Sequence, residues 1–300
     1  MTIDADVLLD RQRLKRRLFW WRTLAIVTLA SLAIVAAGRL GRLPGQDHVA
    51  RLLISGIILD DPARDDMLRD LADDGAVRAL VVRIDSPGGT VVGGETLYLS
   101  LRRVAAHKPV VAVMGTTATS AAYMAALGAD RIVAHEGTLT GSIGVLLQSA
   151  DVTGLLQKLG ITAEAIKSAP LKAVPSPLEK LTGEGRAASR SVVMDMYAMF
   201  VDLVAERRGL ERAETLSLAD GRLFTGRQAL DKRLIDALGG ENEALEWLFQ
   251  AHGVPMGLPI HDVSTNYDES FLVGAISSMV QKTKLIERLT LDGLISLWQF

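Results

Sequence analysis

Ala79-Leu-Val-Val-Arg-Ile84, then Glu95 to Ala106, then Val110-Val-Ala-Val-Met114 decide how this chain folds. The first and last are short apolar runs rich in valine, and the middle repeats its apolar residues at helical spacing. Strand, helix and strand in that order form a crossover unit, which joins parallel strands. The alternation continues on both sides. Val49 to Leu59 reads as a strand, and Asp61 to Ala72 as a helix with Pro62 in its first turn. Ala121 to Leu127 reads as a helix ended by Gly128, and Arg131 to Ala134 as a strand. Leu178 to Arg208 is a long helical stretch, and Leu234 to Leu238 and Glu241 to Phe249 are a final strand and helix. The predicted class is α/β, with a mostly parallel sheet covered by helices.

Composition narrows the function. The 300 residues carry a net charge of -2, with no basic stripe interleaved with aromatics, so a nucleic-acid partner is not expected. There is no cysteine, which excludes disulfides and thiolate metal sites and fits an oxidising compartment. Neither His-Glu-x-x-His nor an acidic calcium loop occurs, so no metal or other cofactor is expected.

The N-terminus reads as a membrane anchor. Residues 18–38 are mostly apolar, and Arg22 is the one charge among them. At about 1.5 Å per residue they span roughly 30 Å, the depth of a bilayer core. Arg11, Arg13, Lys15, Arg16 and Arg17 precede the stretch, and only Arg39 and Arg42 follow closely. That asymmetry places the N-terminus in the cytoplasm and the main domain outside. A cleaved signal peptide is the alternative, but small-x-small cleavage spacing is not evident before Gly38. The expected organisation is a basic N-terminus 1–17, an anchor 18–38, a linker 39–48, a main domain 49–255 and an amphipathic tail 256–300.

Ser120 lies in a small-residue run, Gly115-Thr-Thr-Ala-Thr-Ser-Ala-Ala-Tyr123, between a strand and a helix. Unpaired amides and a positive dipole gather at such a junction, where an oxyanion is stabilised. A plain helix cap is the competing reading. Lys172 lies in Ser168-Ala-Pro-Leu-Lys-Ala-Val-Pro175, with no charged neighbour within four positions. Apolar surroundings disfavour the ammonium, and a neutral amine can take the serine proton. Lys167 is a rival base, and an exposed loop lysine is the competing reading for Lys172. Together the pair points to a hydrolase that works without histidine. Of the five histidines, His135 at a strand end is the best placed for a Ser-His arrangement.

Ile84-Asp-Ser-Pro-Gly-Gly-Thr90 ends a strand, and its two glycines are expected to turn the backbone sharply. The Gly89 N–H then faces a developing oxyanion, or the turn cradles a phosphate, or it is only a tight turn.

Four motifs, taken together, resemble the signal peptide peptidase A family (peptidase family S49) in its short, single-repeat form. They are Asp85-Ser-Pro-Gly-Gly89, Gly115-x-x-Ala-x-Ser-Ala-Ala-Tyr123, Leu139-Thr-Gly-Ser-Ile-Gly144 and Ile166-Lys-Ser-x-x-x-Lys172. Asp220-Gly-Arg-Leu-Phe-Thr-Gly-Arg-Gln-Ala229 and Leu234-Ile-Asp-Ala-Leu-Gly239 extend the likeness, which covers about residues 50 to 240. The resemblance implies a ClpP/crotonase-like fold, a bacterial inner-membrane address and a ring-forming homo-oligomer. Its substrates would be remnant signal peptides and other short apolar peptides. By motif, Ser120 corresponds to the nucleophile, Lys172 to the general base, Gly89 to the oxyanion donor and Ser142 to a residue that orients the lysine. The Ala121 N–H would be a second oxyanion donor. Ser120-Ala-Ala departs from the Ser-Gly-Gly or Ser-Ala-Gly of many relatives. Two alternatives are a crotonase-type acyl-CoA enzyme and a non-catalytic membrane scaffold.

Overall fold

The computed structural model describes residues 17, 19–29 and 46–264, and the backbone of 295–297. The chain forms two compact units, one up to Gln46 and one from Asp47 onward. In the first, residues 19–29 form a helix, α1. Its apolar side chains are bare: Phe19, Trp20, Trp21, Leu24, Ile26, Val27 and Leu29 are all exposed. The hydroxyls of Thr23 and Thr28 donate to the carbonyls of Phe19 and Leu24 one turn back. The rest of the expected anchor lies outside the described residues. Among the described residues no helix is long and apolar enough to cross a membrane.

The second unit begins with β1 (His48–Ile58), α2 (Pro62–Asp73), β2 (Val77–Thr90), α3 (Val91–Ala105), β3 (Val110–Thr119) and α4 (Ala121–Ala126). There follow β4 (Arg131–Ala134), β5 (Leu139–Gly141), α5 (Thr153–Lys158), α6 (Gly183–Arg208), α7 (Arg212–Leu218) and β6 (Leu223–Thr225). The last elements are α8 (Gly226–Asp231), β7 (Ala237–Leu238), α9 (Glu241–His252), β8 (Ile260–Val263) and β9 (Ile295–Leu297). The main strand order is β6-β5-β3-β2-β1-β8. β1 to β5, β7 and β8 pair in parallel, and β6 on β5 and β9 on β2 are antiparallel. The expected mostly parallel α/β sheet is therefore present.

Alternation along β2 explains the layers. Leu80, Val82 and Ile84 pack with Leu68 of α2, Leu97 and Leu101 of α3 and Phe200, Val201 and Val204 of α6. Ala79 and Val81 face the other side, where Ala244 and Leu248 of α9 cover Val111, Val113 and Val133. Successive strand residues point to opposite faces, so a sheet with helices on both faces needs apolar residues at consecutive positions. Each large side chain buried there contributes about 1.5–3 kcal/mol.

β3 sets the site. Its first half pairs with β4 over Val111 to Met114, and its second half with β5 over Thr117 to Thr119. The sheet therefore forks near Gly115, and the far arm delivers β5 to the end of β3.

Several boundaries moved, each for a local reason. α3 starts at Val91 rather than Glu95, because the Thr90 hydroxyl accepts from the Gly93 N–H at 3.0 Å and caps the helix there. α6 starts at Gly183 rather than Leu178, because Thr182 caps it through the Gly185 N–H at 3.0 Å. The strand expected over Leu234 to Leu238 shrinks to Ala237–Leu238, and β8 and β9 follow it.

Candidate active site

Ser120 sits between β3 and α4, with φ 58° and ψ -122°. A residue with a Cβ avoids this region, and holding one there costs on the order of 1–3 kcal/mol. The surroundings enforce it. The Ser120 N–H donates to the Gly141 carbonyl at 2.8 Å, and Met124 N–H donates to the Ser120 carbonyl at 2.9 Å. The side chain does not cap α4, which removes the simple cap reading. Ser120 is 1 % exposed. The intrahelical ladder begins at Met124, so the amides of Ala121 to Tyr123 precede it. The short helix is held firmly. The buried Tyr123 hydroxyl donates to the Leu234 carbonyl at 2.9 Å, and burial pushes its pKa up. A Cβ on Gly94 of α3 would sit 3.0 Å from that of Ala121, so the two helices touch closely at the site.

The glycine segment differs from expectation. Instead of turning sharply, the chain runs on as β2 to Thr90, with Ile57 opposite Gly88 and Ile58 opposite Gly89. A register shift between Ser55 and Ile57 accommodates the change. The pressure for glycine is space. A Cβ on Gly89 would lie 1.8 Å from the Ile58 carbonyl oxygen. Side chains stitch the segment to β1 and β3. The Ser86 hydroxyl donates to the Gly56 carbonyl at 2.6 Å and accepts from the Gly88 N–H at 3.1 Å. The Thr119 hydroxyl donates to the Pro87 carbonyl at 2.9 Å, and Thr117 N–H donates to the Asp85 carboxylate at 3.0 Å. Sequence reading missed these positioning roles of Asp85, Ser86 and Thr119. Their signal was their place inside the motifs, without any indication of a partner.

Ser142 follows the same β5 end. It is buried, has φ 50°, and its N–H donates to the Arg222 carbonyl at 2.8 Å. It directly follows Gly141, whose carbonyl holds Ser120.

Lys172 lies in a turn, its N–H donating to the Ala169 carbonyl at 3.1 Å. Its side chain is exposed in the single chain, as are Ile166, Leu171 and Leu178 around it in sequence. Lys167 is committed elsewhere, in an ion pair with Glu179 at 2.6 Å. His135 is exposed and lines a cavity of about 370 Å³ with Arg83, Gly115 and Glu243. Its ring packs against Gly240. That side belongs to α9, and Ser120 does not line the cavity.

The sequence profile of peptidase family S49 matches residues 102–255, a stretch that holds Ser120, Ser142 and Lys172. A protein of Synechocystis sp., provisionally named a protease, is 38% identical over 201 residues, covering 66% of this chain and 72% of its own length. The chain belongs to peptidase family S49. It is a serine protease, and the acyl-CoA and scaffold alternatives give way. A provisionally named signal peptide peptidase SppA of Enterococcus faecium is 34% identical, over 60% of this S49 chain and 53% of its own length. The chloroplastic serine protease SPPA of Arabidopsis thaliana is 29% identical, over 84% of this chain but 36% of its own length. The S49 chain thus spans about half or less of these two relatives. Among solved structures, a membrane-bound stomatin-specific protease superposes with a TM-score of 0.49 at 16% identity, over 73% of this chain and 98% of its own. The architecture described here rests on the strand order itself.

Proposed function

We propose that this chain is a membrane-anchored endopeptidase that uses Ser120 and Lys172 as a dyad. Its substrates would be signal peptides left in the membrane after preprotein processing. One observation carries the reading: a buried serine held at positive φ at a strand–helix junction. Strain of this kind aims a nucleophile at a fixed point.

Neutral Lys172 accepts the Ser120 proton as Oγ attacks the scissile carbonyl. The N–H groups of Gly89 and Ala121 hold the oxyanion. Lys172 then gives its proton to the leaving amine. Water attacks the acyl-enzyme with Lys172 again as base, and Ser120 is restored. Ser142 orients the lysine. The pairing of Lys167 with Glu179 favours Lys172 over its rival. The His135 position against Gly240 disfavours a histidine base.

A neutral amine needs a cover that the single chain lacks. Bare Ile166, Leu171 and Leu178 mark the surface where a second copy of the chain would supply it. A homo-oligomer with sites near its interfaces follows. Exposed apolar residues all along α1, with satisfied threonine hydroxyls, support the anchor. The basic residues before it support a cytoplasmic N-terminus and an extracytoplasmic catalytic domain at the bacterial inner membrane. The name of the Enterococcus faecium relative supports the substrate class.

The test is incubation of the full chain in detergent micelles with a synthetic signal peptide, read by mass spectrometry. Fragments should form with the parent chain and not with Ser120→Ala. A peptide left intact by the parent, or cut equally by the variant, contradicts the proposal.

A further inference from the structure

Arg64 is a buried cation that neither its helix nor an ion pair explains. It lies in the first turn of α2 and is 8 % exposed. Its Nη2 donates to the Leu59 carbonyl at 3.2 Å. Its Nε is buried and has no hydrogen-bond partner among the described residues. Asp60, Asp61 and Asp65 are near enough to favour the charge, but their carboxylates accept from other groups. Asp61 takes the Arg64 backbone N–H at 3.2 Å, Asp60 the Thr96 hydroxyl at 3.3 Å and Asp65 the Ser100 hydroxyl at 3.0 Å. A cation in the first turn also opposes the helix dipole. An apolar side chain of similar volume would pack there at lower cost.

What Arg64 grips lies against the site. Leu59 follows Ile58, whose register partner is Gly89. A Cβ on Gly89 would lie 1.8 Å from the Ile58 carbonyl oxygen, and one on Gly93 would lie 2.6 Å from the Leu59 carbonyl carbon. The Ile58–Leu59 corner is therefore seated on both glycines, at the end of β2 and in the first turn of α3. Thr90, between them, caps α3 through the Gly93 N–H.

We propose that Arg64 is a positioning residue for peptide cleavage. By holding the Leu59 carbonyl it seats this corner on Gly89 and Gly93, and so fixes the direction of the Gly89 N–H. The proposal rests on the reading of Gly89 as an oxyanion donor. Such a donor works only when it points to where charge develops, so a small rotation of its peptide plane weakens the transition state more than substrate binding.

The experiment compares Arg64→Met and Arg64→Lys with the parent, as full chains in detergent micelles cutting a reporter peptide. Methionine fills the space without a donor, and lysine restores one. Arg64→Met should lose at least about tenfold in kcat per folded chain with KM unchanged. It should melt no more than about 2 °C below the parent. Arg64→Lys should recover most of the lost kcat. Should Arg64→Met not fold, Arg64→Gln, with a shorter side chain, takes its place with the same expectation. Unchanged kcat without the arginine, or Arg64→Lys no better than Arg64→Met, overturns the proposal while the parent still cuts. If the peptidase reading itself fails, the parent leaves the reporter intact, and hydrogen exchange over Pro87 to Val91 decides alone. Faster exchange there in Arg64→Met, with Val77 to Ile84 unchanged, supports the seat, and equal exchange overturns it.

Discussion

The Ser120 N–H donates to the Gly141 carbonyl at 2.8 Å, and this bond ties the candidate nucleophile to the end of β5. It does two things. It holds Ser120 in a backbone region that serine avoids, with φ 58°. It also brings the buried Ser142, one residue further on, to the same corner. The strain is therefore supported by the sheet, through the pairing of Thr119 with Gly141, and not by the short helix alone.

If that strain serves catalysis, removing the side chain should release it. Ser120→Gly should abolish cleavage and raise stability by about 1 kcal/mol, since glycine tolerates positive φ. For a domain of this size that is roughly 2–4 °C in Tm. Ser120→Ala should abolish cleavage without the gain. Thermal melts of the two variants beside the parent chain check this.

Gly89 has no room for a side chain. Gly89→Ala should destabilise by about 3 kcal/mol, because the atoms it meets belong to the Ile58 backbone and cannot rotate away. Gly75→Ala, where nothing lies within 4 Å, should change stability by no more than about 0.5 kcal/mol. Paired chemical denaturation curves separate the two.

Lys172 is tested by reach against titration. Arginine keeps the charge but does not give up its proton in a protein. Lys172→Arg and Lys172→Ala should both lose at least about a hundredfold in kcat, the lower range of general-base effects. Neither should alter stability by more than about 0.5 kcal/mol, because the side chain is exposed. Lys167→Ala should keep turnover. An active Lys172→Arg chain would leave the lysine only an electrostatic role.

The N-terminus of α9 carries a pH-dependent contribution. The Gly240 N–H donates to the Glu243 carboxylate at 2.6 Å, and that bond holds the carboxyl below its ordinary range. A lowered carboxyl pKa stabilises the fold above the unfolded value of about 4.3 and loses that contribution as pH falls through the folded value. Glu243→Ala should therefore melt lower than the parent at pH 7, and the gap should narrow on going to about pH 3. Melts at the two pH values check the sign.

The sheet was legible because its strands announce themselves. Valine runs at 79–84 and 110–114 are buried on both faces, and periodicity alone marks them. The candidate nucleophile was legible as a small-residue run at a strand–helix junction. Its left-handed backbone was not, because φ depends on the Gly141 contact 21 positions away in sequence. The glycine segment was misread as a sharp turn. Glycine signals both a turn and a close approach, and only the position of Ile58 distinguishes them. Lys172 was read from apolar sequence neighbours, yet Leu171 and Ala173 on either side of it are themselves exposed in the single chain. Sequence proximity does not report solvent. Pairing of residues 295–297 with β2 was invisible, since edge-strand addition is specified by backbone rather than by side-chain pattern.

The most direct test of the Ser120–Lys172 assignment is fluorophosphonate labelling of the full chain, with the adduct located by mass spectrometry. The account predicts one adduct, on Ser120, formed by the parent chain and lost or slowed at least about a hundredfold in Lys172→Ala. An adduct on another residue, or undiminished labelling of Ser120 without the lysine, would contradict it.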